Sequence, residues 1–255
     1  MILLNGKEIV PTVFPDGCPQ VWKIDLTNEE RCSVIWLFRD LIEFFSVAQL
    51  IDLLAWQNKM VTLLVTYLPF ARQDKPVNND STFGLGTFVG LMRTLPLKRL
   101  IIYHPHSVLY GNREVLEFNE HYLENKNIIF IDKGAAQRYN KLIQTKPHII
   151  LDKFREQSTG IITSFKIEID NRDHSLPYII IDDLCDGGAS FISALEYLEI
   201  SEADLYTAHG IYSKGVEVLK SAGFNKIICH RTLDKQYPDG IIIEGIDYDK
   251  LIASN

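Results

Sequence analysis

The chain has 255 residues, more than one small domain needs and about right for two compact ones. Hydrophobic residues make up 46% and charged residues 23%, a balance that excludes intrinsic disorder as the organising principle. Lys plus Arg is 26 against 33 for Asp plus Glu, a net charge of −7. That excludes a protein built to coat nucleic acid, while leaving room for a local basic loop that takes a nucleotide. No apolar run approaches the roughly 18–20 residues of a membrane span. The segment after Met1 lacks the basic stretch and apolar run of a signal peptide, so a soluble, cytoplasmic protein with no membrane partner is expected. Cys18, Cys32, Cys185 and Cys229 form no C-x-x-C pair and read as reduced, mostly buried thiols.

Along the chain, short runs rich in Ile, Leu and Val alternate with helix-like stretches. The strand-like runs are Val61–Phe70, Arg99–His104, Asn127–Ile131, His148–Leu151, Tyr178–Ile181, Ala203–Thr207, Lys226–Cys229 and Ile241–Ile243. Each has little polar alternation, the pattern of a parallel sheet covered on both faces. The helical stretches are Asn28–Trp56, Phe83–Leu95, Ala135–Ile143, Phe191–Leu198 and Lys214–Ala222. In Phe191–Leu198, Ile192, Leu195 and Leu198 fall three apart on one helical face. This repetition predicts an α/β fold with parallel sheets, and there are strands enough for two. A join near Asn125–Asn127 divides the chain into domains of residues 1–126 and 127–255.

The most informative segment is Tyr178-Ile-Ile-Ile-Asp-Asp-Leu-Cys-Asp-Gly-Gly-Ala-Ser190. A buried strand ends in Asp182 and Asp183, and a turn through Asp186, Gly187, Gly188 and Ala189 opens a helix near Ser190. Backbone N–H groups at such a turn lack partners and gain from the helix dipole, which makes them an anion site. Two carboxylates at a strand's C-terminal end suit the hydroxyls of a sugar diol. The plain alternative is a solvated loop whose Asp caps the helix. The segment resembles the phosphoribosyl-diphosphate motif of type I phosphoribosyltransferases and their relatives. By itself it does not separate a transferase from a diphosphokinase.

A second segment separates them. Tyr67-Leu-Pro-Phe-Ala-Arg-Gln-Asp-Lys75 places Arg72, Gln73, Asp74 and Lys75 just past a strand. Arginine offers bidentate contacts and lysine a point charge, a pairing suited to polyphosphate. The segment closely resembles one found in ribose-phosphate diphosphokinases, and further segments match that family in order. Phe14-Pro-Asp-Gly17 resembles its adenine-binding turn, with Phe14 and Asp16. His104-Pro-His-Ser107 resembles its Asp-Leu-His-Ala-Ser, which implies that His106 serves the Mg–ATP site and leaves His104 structural. Asp132-Lys-Gly-Ala-Ala-Gln-Arg138 resembles its diphosphate loop, with Asp132 as the metal-linked acid. Leu151-Asp-Lys-Phe-Arg155 resembles the start of its catalytic loop, assigning Lys153 and Arg155, and Thr207-Ala-His-Gly-Ile-Tyr-Ser213 resembles its Thr-His-Gly-Ile-Phe-Ser.

The resemblance spans Phe14 to Thr232 and implies two tandem phosphoribosyltransferase-type domains with parallel sheets. It implies Mg²⁺-dependent transfer of the β,γ-diphosphate of ATP to the anomeric hydroxyl of ribose 5-phosphate, with Mg²⁺ near His106 and Asp132. It also implies a homo-oligomer, dimer or hexamer, whose adenine site is shared between subunits. The chain departs from the family in being shorter and in lacking most of the first strand and helix before Phe14. His104 replaces an acid, Cys18 stands where a Glu is common, and the loop after His106 is reworked. In the turn, Gly187 loses a threonine hydroxyl. An opening at Gly187 admits an alternative acceptor, a larger 5-phosphoribosyl group such as ADP-ribose, in NAD salvage. A phosphoribosyltransferase and a non-catalytic regulatory homologue are the remaining alternatives.

Overall fold

The computed structural model describes residues 1–26, 28–76, 78–106, 112–114, 118–156, 162–233 and 238–253. The chain divides into two units, Met1–Leu116 with Asp247–Asn255, and Glu117–Ile246. The sequence reading placed the join at 126/127 and carried the second domain through to residue 255.

The first unit opens with four short strands, β1 (Ile2–Leu4), β2 (Lys7–Ile9), β3 (Thr12–Val13) and β4 (Pro19–Gln20). Then come β5 (Arg31–Trp36), α1 (Glu43–Trp56), β6 (Met60–Val65), α2 (Gly84–Met92), β7 (Arg99–Tyr103) and β8 (Asn112–Glu114). Its sheet runs β2-β1-β5-β6-β7-β8, parallel from β5 onward, with β1 antiparallel to both neighbours. The segment before Phe14, read as lacking most of a first strand, supplies this antiparallel edge. β3 and β4 form a separate hairpin.

The expected helix Asn28–Trp56 is corrected. Its first part holds β5, a central strand in which Cys32, Val34, Ile35 and Trp36 are buried. β-Branched and aromatic residues favour that pleated setting. Helical periodicity begins only at Phe44, where Phe44, Val47, Leu50, Ile51 and Leu54 turn one face into the core. Trp36, fully buried, donates its indole N–H to Glu43 Oε2 at 2.9 Å, locking α1 to β5. The expected strand Val61–Phe70 also ends early, at Val65, and the chain turns through Phe70, whose φ is +61°.

The second unit contains α3 (Glu120–Leu123), β9 (Asn127–Phe130), α4 (Lys133–Arg138), α5 (Asn140–Ile143), β10 (His148–Arg155), β11 (Ile162–Asp170) and β12 (Tyr178–Cys185). It continues with α6 (Ala189–Leu198), β13 (Ala203–Gly210), α7 (Glu217–Ser221), β14 (Phe224–Thr232) and β15 (Ile242–Ile243). The final helix, α8 (Tyr248–Ala253), belongs to the first unit, where Arg99 donates to the Ile252 carbonyl at 2.9 Å. The strand order is β11-β10-β9-β12-β13-β14-β15, parallel except for β11. β9 is followed by β10 on one side and flanked by β12 on the other, so the connections reverse direction there. Ligands of open α/β sheets bind beyond the carboxyl ends of the strands at such a point.

The apolar runs map onto β6, β7, β9, β10, β12, β13, β14 and β15, and β13 is buried at every position. Two helical expectations shorten. Ala135–Ile143 is broken at the buried Tyr139, and only residues 217–221 of Lys214–Ala222 are helical. The fold is α/β with two mostly parallel sheets.

Candidate active site

Five charged side chains meet at the carboxyl ends of β9, β10 and β12. Asp132 follows β9 and caps α4, its Oδ1 accepting from the Ala135 N–H at 2.8 Å. The cap satisfies a helix N–H that has no partner in its own turn. Its Oδ2 accepts from Lys153 Nζ at 3.0 Å. Lys153 reaches it because β10 continues past the end of β9 as a hairpin with β11, pairing Lys153 with Phe165. Burial opposes ionisation of Asp132, but Lys153 and the Ala135 N–H outweigh it and hold the carboxyl below its usual range.

Arg138, at the end of α4, points back to the end of β12. Its Nη1 donates to Asp183 at 2.7 Å and lies 3.4 Å from Asp182. All three side chains are at most about one-eighth exposed. Burial works against the guanidinium's charge, and Asp183 more than restores it. Burial and the adjacent Asp183 carboxylate push Asp182 well above the usual carboxylate range. Two acids this close ionise together only with difficulty, and Arg138 neutralises one of them. Sequence reasoning missed Arg138 as a site residue, although it closes the quoted segment from Asp132. Its partners lie more than forty residues away in the chain.

Beyond β12 the chain makes the turn at 186–188 and enters α6. Gly188 has φ +79°, and a Cβ there would sit 2.5 Å from Leu219 Cδ2, so backbone and space both demand glycine. Asp186 Oδ1 accepts from Ser213 Oγ at 2.6 Å, fastening the turn to the loop after β13. Ala189 and Ser190 form the first residues of α6. The expected opening at Gly187 is corrected. A Cβ there would meet the Lys214 side chain, with Cδ at 3.2 Å and Cγ at 3.3 Å, so that space is filled.

The remaining candidates lie in the first unit. Arg72, Gln73 and Lys75 are exposed and Asp74 half-buried on the turn after β6, while the exposed His106 follows β7. Both segments therefore leave the carboxyl ends of adjacent parallel strands. The Gln73 side chain packs over Gly84 at the start of α2, and the backbone carbonyl of Gln73 accepts from the Leu85 N–H at 3.2 Å. His104 is buried, with φ +40°, and packs on Tyr103. Phe14 and Asp16 form the tip of the β3–β4 hairpin, where Asp16 Oδ1 accepts from the Cys18 N–H at 2.9 Å. Cys18 is exposed, the other three cysteines are buried, and all are free. The side chain of Arg155 and the reworked loop at 107–111 and 115–117 lie outside the described residues.

Among the described residues, no group of three or more His, Cys, Asp and Glu side chains is arranged to hold a metal ion. Asp132 nevertheless fits Mg²⁺ in donor chemistry. It is held ionised, is about one-third exposed, and offers hard oxygens. Mg²⁺ commonly takes one or two carboxylates together with substrate phosphates. No helix among the described residues is long and apolar enough to cross a membrane.

No family model matches the sequence. Curated relatives do. The chain is 23% identical over 259 residues to a ribose-phosphate pyrophosphokinase of Saccharolobus solfataricus, covering 91% of this chain and 87% of that protein. It is 25% identical over 261 residues to the ribose-phosphate pyrophosphokinase of Sulfolobus acidocaldarius, covering 93% and 88%. The enzyme of that name from Sulfurisphaera tokodaii is 25% identical over 270 residues, covering 94% and 89%. The fold matches the crystal structure of a phosphoribosylpyrophosphate synthetase from Mycobacterium smegmatis with a TM-score of 0.71 and 18% identity, covering 96% of this chain and 88% of that one. Over nine-tenths of its length the chain is similar in sequence to proteins named ribose-phosphate pyrophosphokinase, and it shares the fold of a phosphoribosylpyrophosphate synthetase.

Proposed function

We propose that this protein transfers the β,γ-diphosphate of ATP to the anomeric hydroxyl of ribose 5-phosphate, giving phosphoribosyl diphosphate and AMP. The observation that carries this reading is the convergence of Asp132, Lys153, Arg138, Asp182 and Asp183 at the strand ends of the second unit, beside the 186–190 turn. Asp182 and Asp183 accept from the ribose hydroxyls, oriented by Arg138. Asp186, Gly187, Gly188, Ala189 and Ser190 form the cradle for the 5-phosphate. Lys153, with Arg155 on the same strand, stabilises negative charge on the transferring group, since a reaction of this kind depends on positioning and charge neutralisation.

In the first unit, Arg72 and Lys75 hold the ATP phosphates, flanked by Gln73 and Asp74. Phe14 and Asp16 serve the adenine end, at an interface between copies of the chain. Mg²⁺ bound with the ATP would lower the charge on its phosphates, and in the second unit Asp132 is the carboxylate whose chemistry fits it. The larger acceptor finds no support, since Lys214 fills the space at Gly187.

The test is product analysis. Incubation with ATP, Mg²⁺ and ribose 5-phosphate is expected to yield AMP in step with phosphoribosyl diphosphate. ADP as the nucleotide product, or turnover that requires added phosphoribosyl diphosphate and a nucleobase, would overturn it.

A further inference from the structure

The 186–190 turn contains two glycines for different reasons. Gly188 is required by its backbone. Gly187 is not among the positive-φ residues, so its backbone tolerates a side chain. What glycine at 187 permits is an approach by Lys214, whose Cγ, Cδ and Cε lie 3.3, 3.2 and 3.4 Å from the position a Cβ would occupy. The stem lies against Gly187 over three successive carbons, and the ammonium is one bond beyond Cε. A larger residue at 187 would push it away.

Lys214 is also anchored in a way that a wandering surface lysine is not. Its loop is fastened to the turn at two points. The Ile211 N–H donates to the Cys185 carbonyl at 2.7 Å, and Ser213 Oγ donates to Asp186 at 2.6 Å. Tyr212 and Gly215, on either side, take φ of +53° and +78°, and the Gly215 N–H closes a turn onto the Tyr212 carbonyl at 2.8 Å. Among the described residues Lys214 forms no ion pair, although Glu217 is close in sequence and engages Lys220 instead. A lysine beside the turn that opens α6 adds a full positive charge to the partial charge of the helix N-terminus.

We infer that Lys214 is a specificity-determining residue of the acceptor site, supplying a charged contact to the terminal phosphate where residue 187 offers no side-chain donor. This rests on the acceptor assignment above. An ammonium is a point charge, so it favours a terminal phosphate dianion over a singly charged diester. The glycine at 187 and the lysine at 214 then act as a pair, the first making room for the second.

The experiment begins with the unmodified protein, whose AMP-forming turnover with ribose 5-phosphate tests the reaction independently of Lys214. If that turnover is found, Lys214→Met, which keeps the stem and removes the charge, is expected to raise the KM for ribose 5-phosphate at least fivefold. The KM for ATP and kcat should stay within twofold, and ribose 5-phosphate binding followed by calorimetry should weaken in parallel. Lys214→Arg should recover most of the loss, and Lys220→Met, which removes an exposed lysine nearby, should change neither constant. Lys214 is exposed, so melting temperatures of the variants are expected to match the parent and to exclude misfolding. A Lys214→Met enzyme with the parent KM for ribose 5-phosphate, or with equal changes in both substrates' KM values, overturns the inference while leaving the reaction assignment intact.

Discussion

The two units treat their charged candidates in opposite ways. In the second, acids and bases at the strand ends are largely buried and paired with each other, Asp132 with Lys153 and Asp183 with Arg138. In the first, Arg72, Lys75 and His106 stand exposed on turns beyond the strands. The difference follows from desolvation. A buried carboxylate must have its counter-charge built into the fold. An exposed cation keeps much of its hydration, so its place does not depend on a buried counter-charge. The second unit thus builds its ion pairs into the fold, whereas the cations of the first stand where solvent reaches them.

The largest expected effect is on the paired side. Arg138→Met leaves the Asp182–Asp183 pair buried without its cation and should cost about 3–5 kcal/mol of stability, with Arg138→Lys losing less. Urea unfolding measures it, and a loss below about 1 kcal/mol would show that the pair does not depend on Arg138. Next comes Lys153→Ala, and likewise Arg155→Ala. Each should lower kcat about 10²–10³-fold while changing the KM for ATP far less. Near-normal turnover in both variants would remove the charge-stabilising role of β10.

Arg72→Ala sharpens the comparison from the exposed side. It should raise the KM for ATP about tenfold and change stability by no more than about 0.5 kcal/mol. A large loss of stability would mean that the first unit is as internally organised as the second.

The smallest effect is one of pH. Because its folded value is raised, Asp182 favours the native state at pH below its ordinary value near 3.8. That contribution is lost as pH rises through the folded value. Asp132, whose value is lowered, behaves oppositely and contributes stability that disappears in acid. Asp182→Asn should therefore raise the melting temperature modestly at pH 7 and lose that advantage as the pH approaches 3.8, while impairing acceptor binding. A variant less stable than the parent at pH 7 would show that the ionised carboxylate is net favourable where it sits.

β12 and β14 were legible in the sequence because each holds a continuous buried apolar run, Ile179–Ile181 and Ile227–Cys229. β5 was misread as helix because its six residues directly precede a true amphipathic helix, and the two periods blur where they meet. β1, buried at Ile2 and Leu4, was missed because three residues are too short a run to show a period. β2 and β11 were missed for another reason. Edge strands carry exposed positions, as in Lys7, Glu8 and most of β11, and that weakens the apolar signal.

What the sequence determined by itself was the set of chemical groups and where each leaves its strand. Asp132, Asp182, Asp183 and the 186–190 turn follow apolar runs whose burial is a local property of the chain. Which of those groups touch was decided only by the tertiary structure. Arg138 meets Asp183, Lys153 meets Asp132, and Lys214 lies against Gly187 because strand order and register bring distant segments to one edge of a sheet. Local sequence encodes backbone preference and burial, whereas side-chain pairing depends on where separate strands are laid side by side.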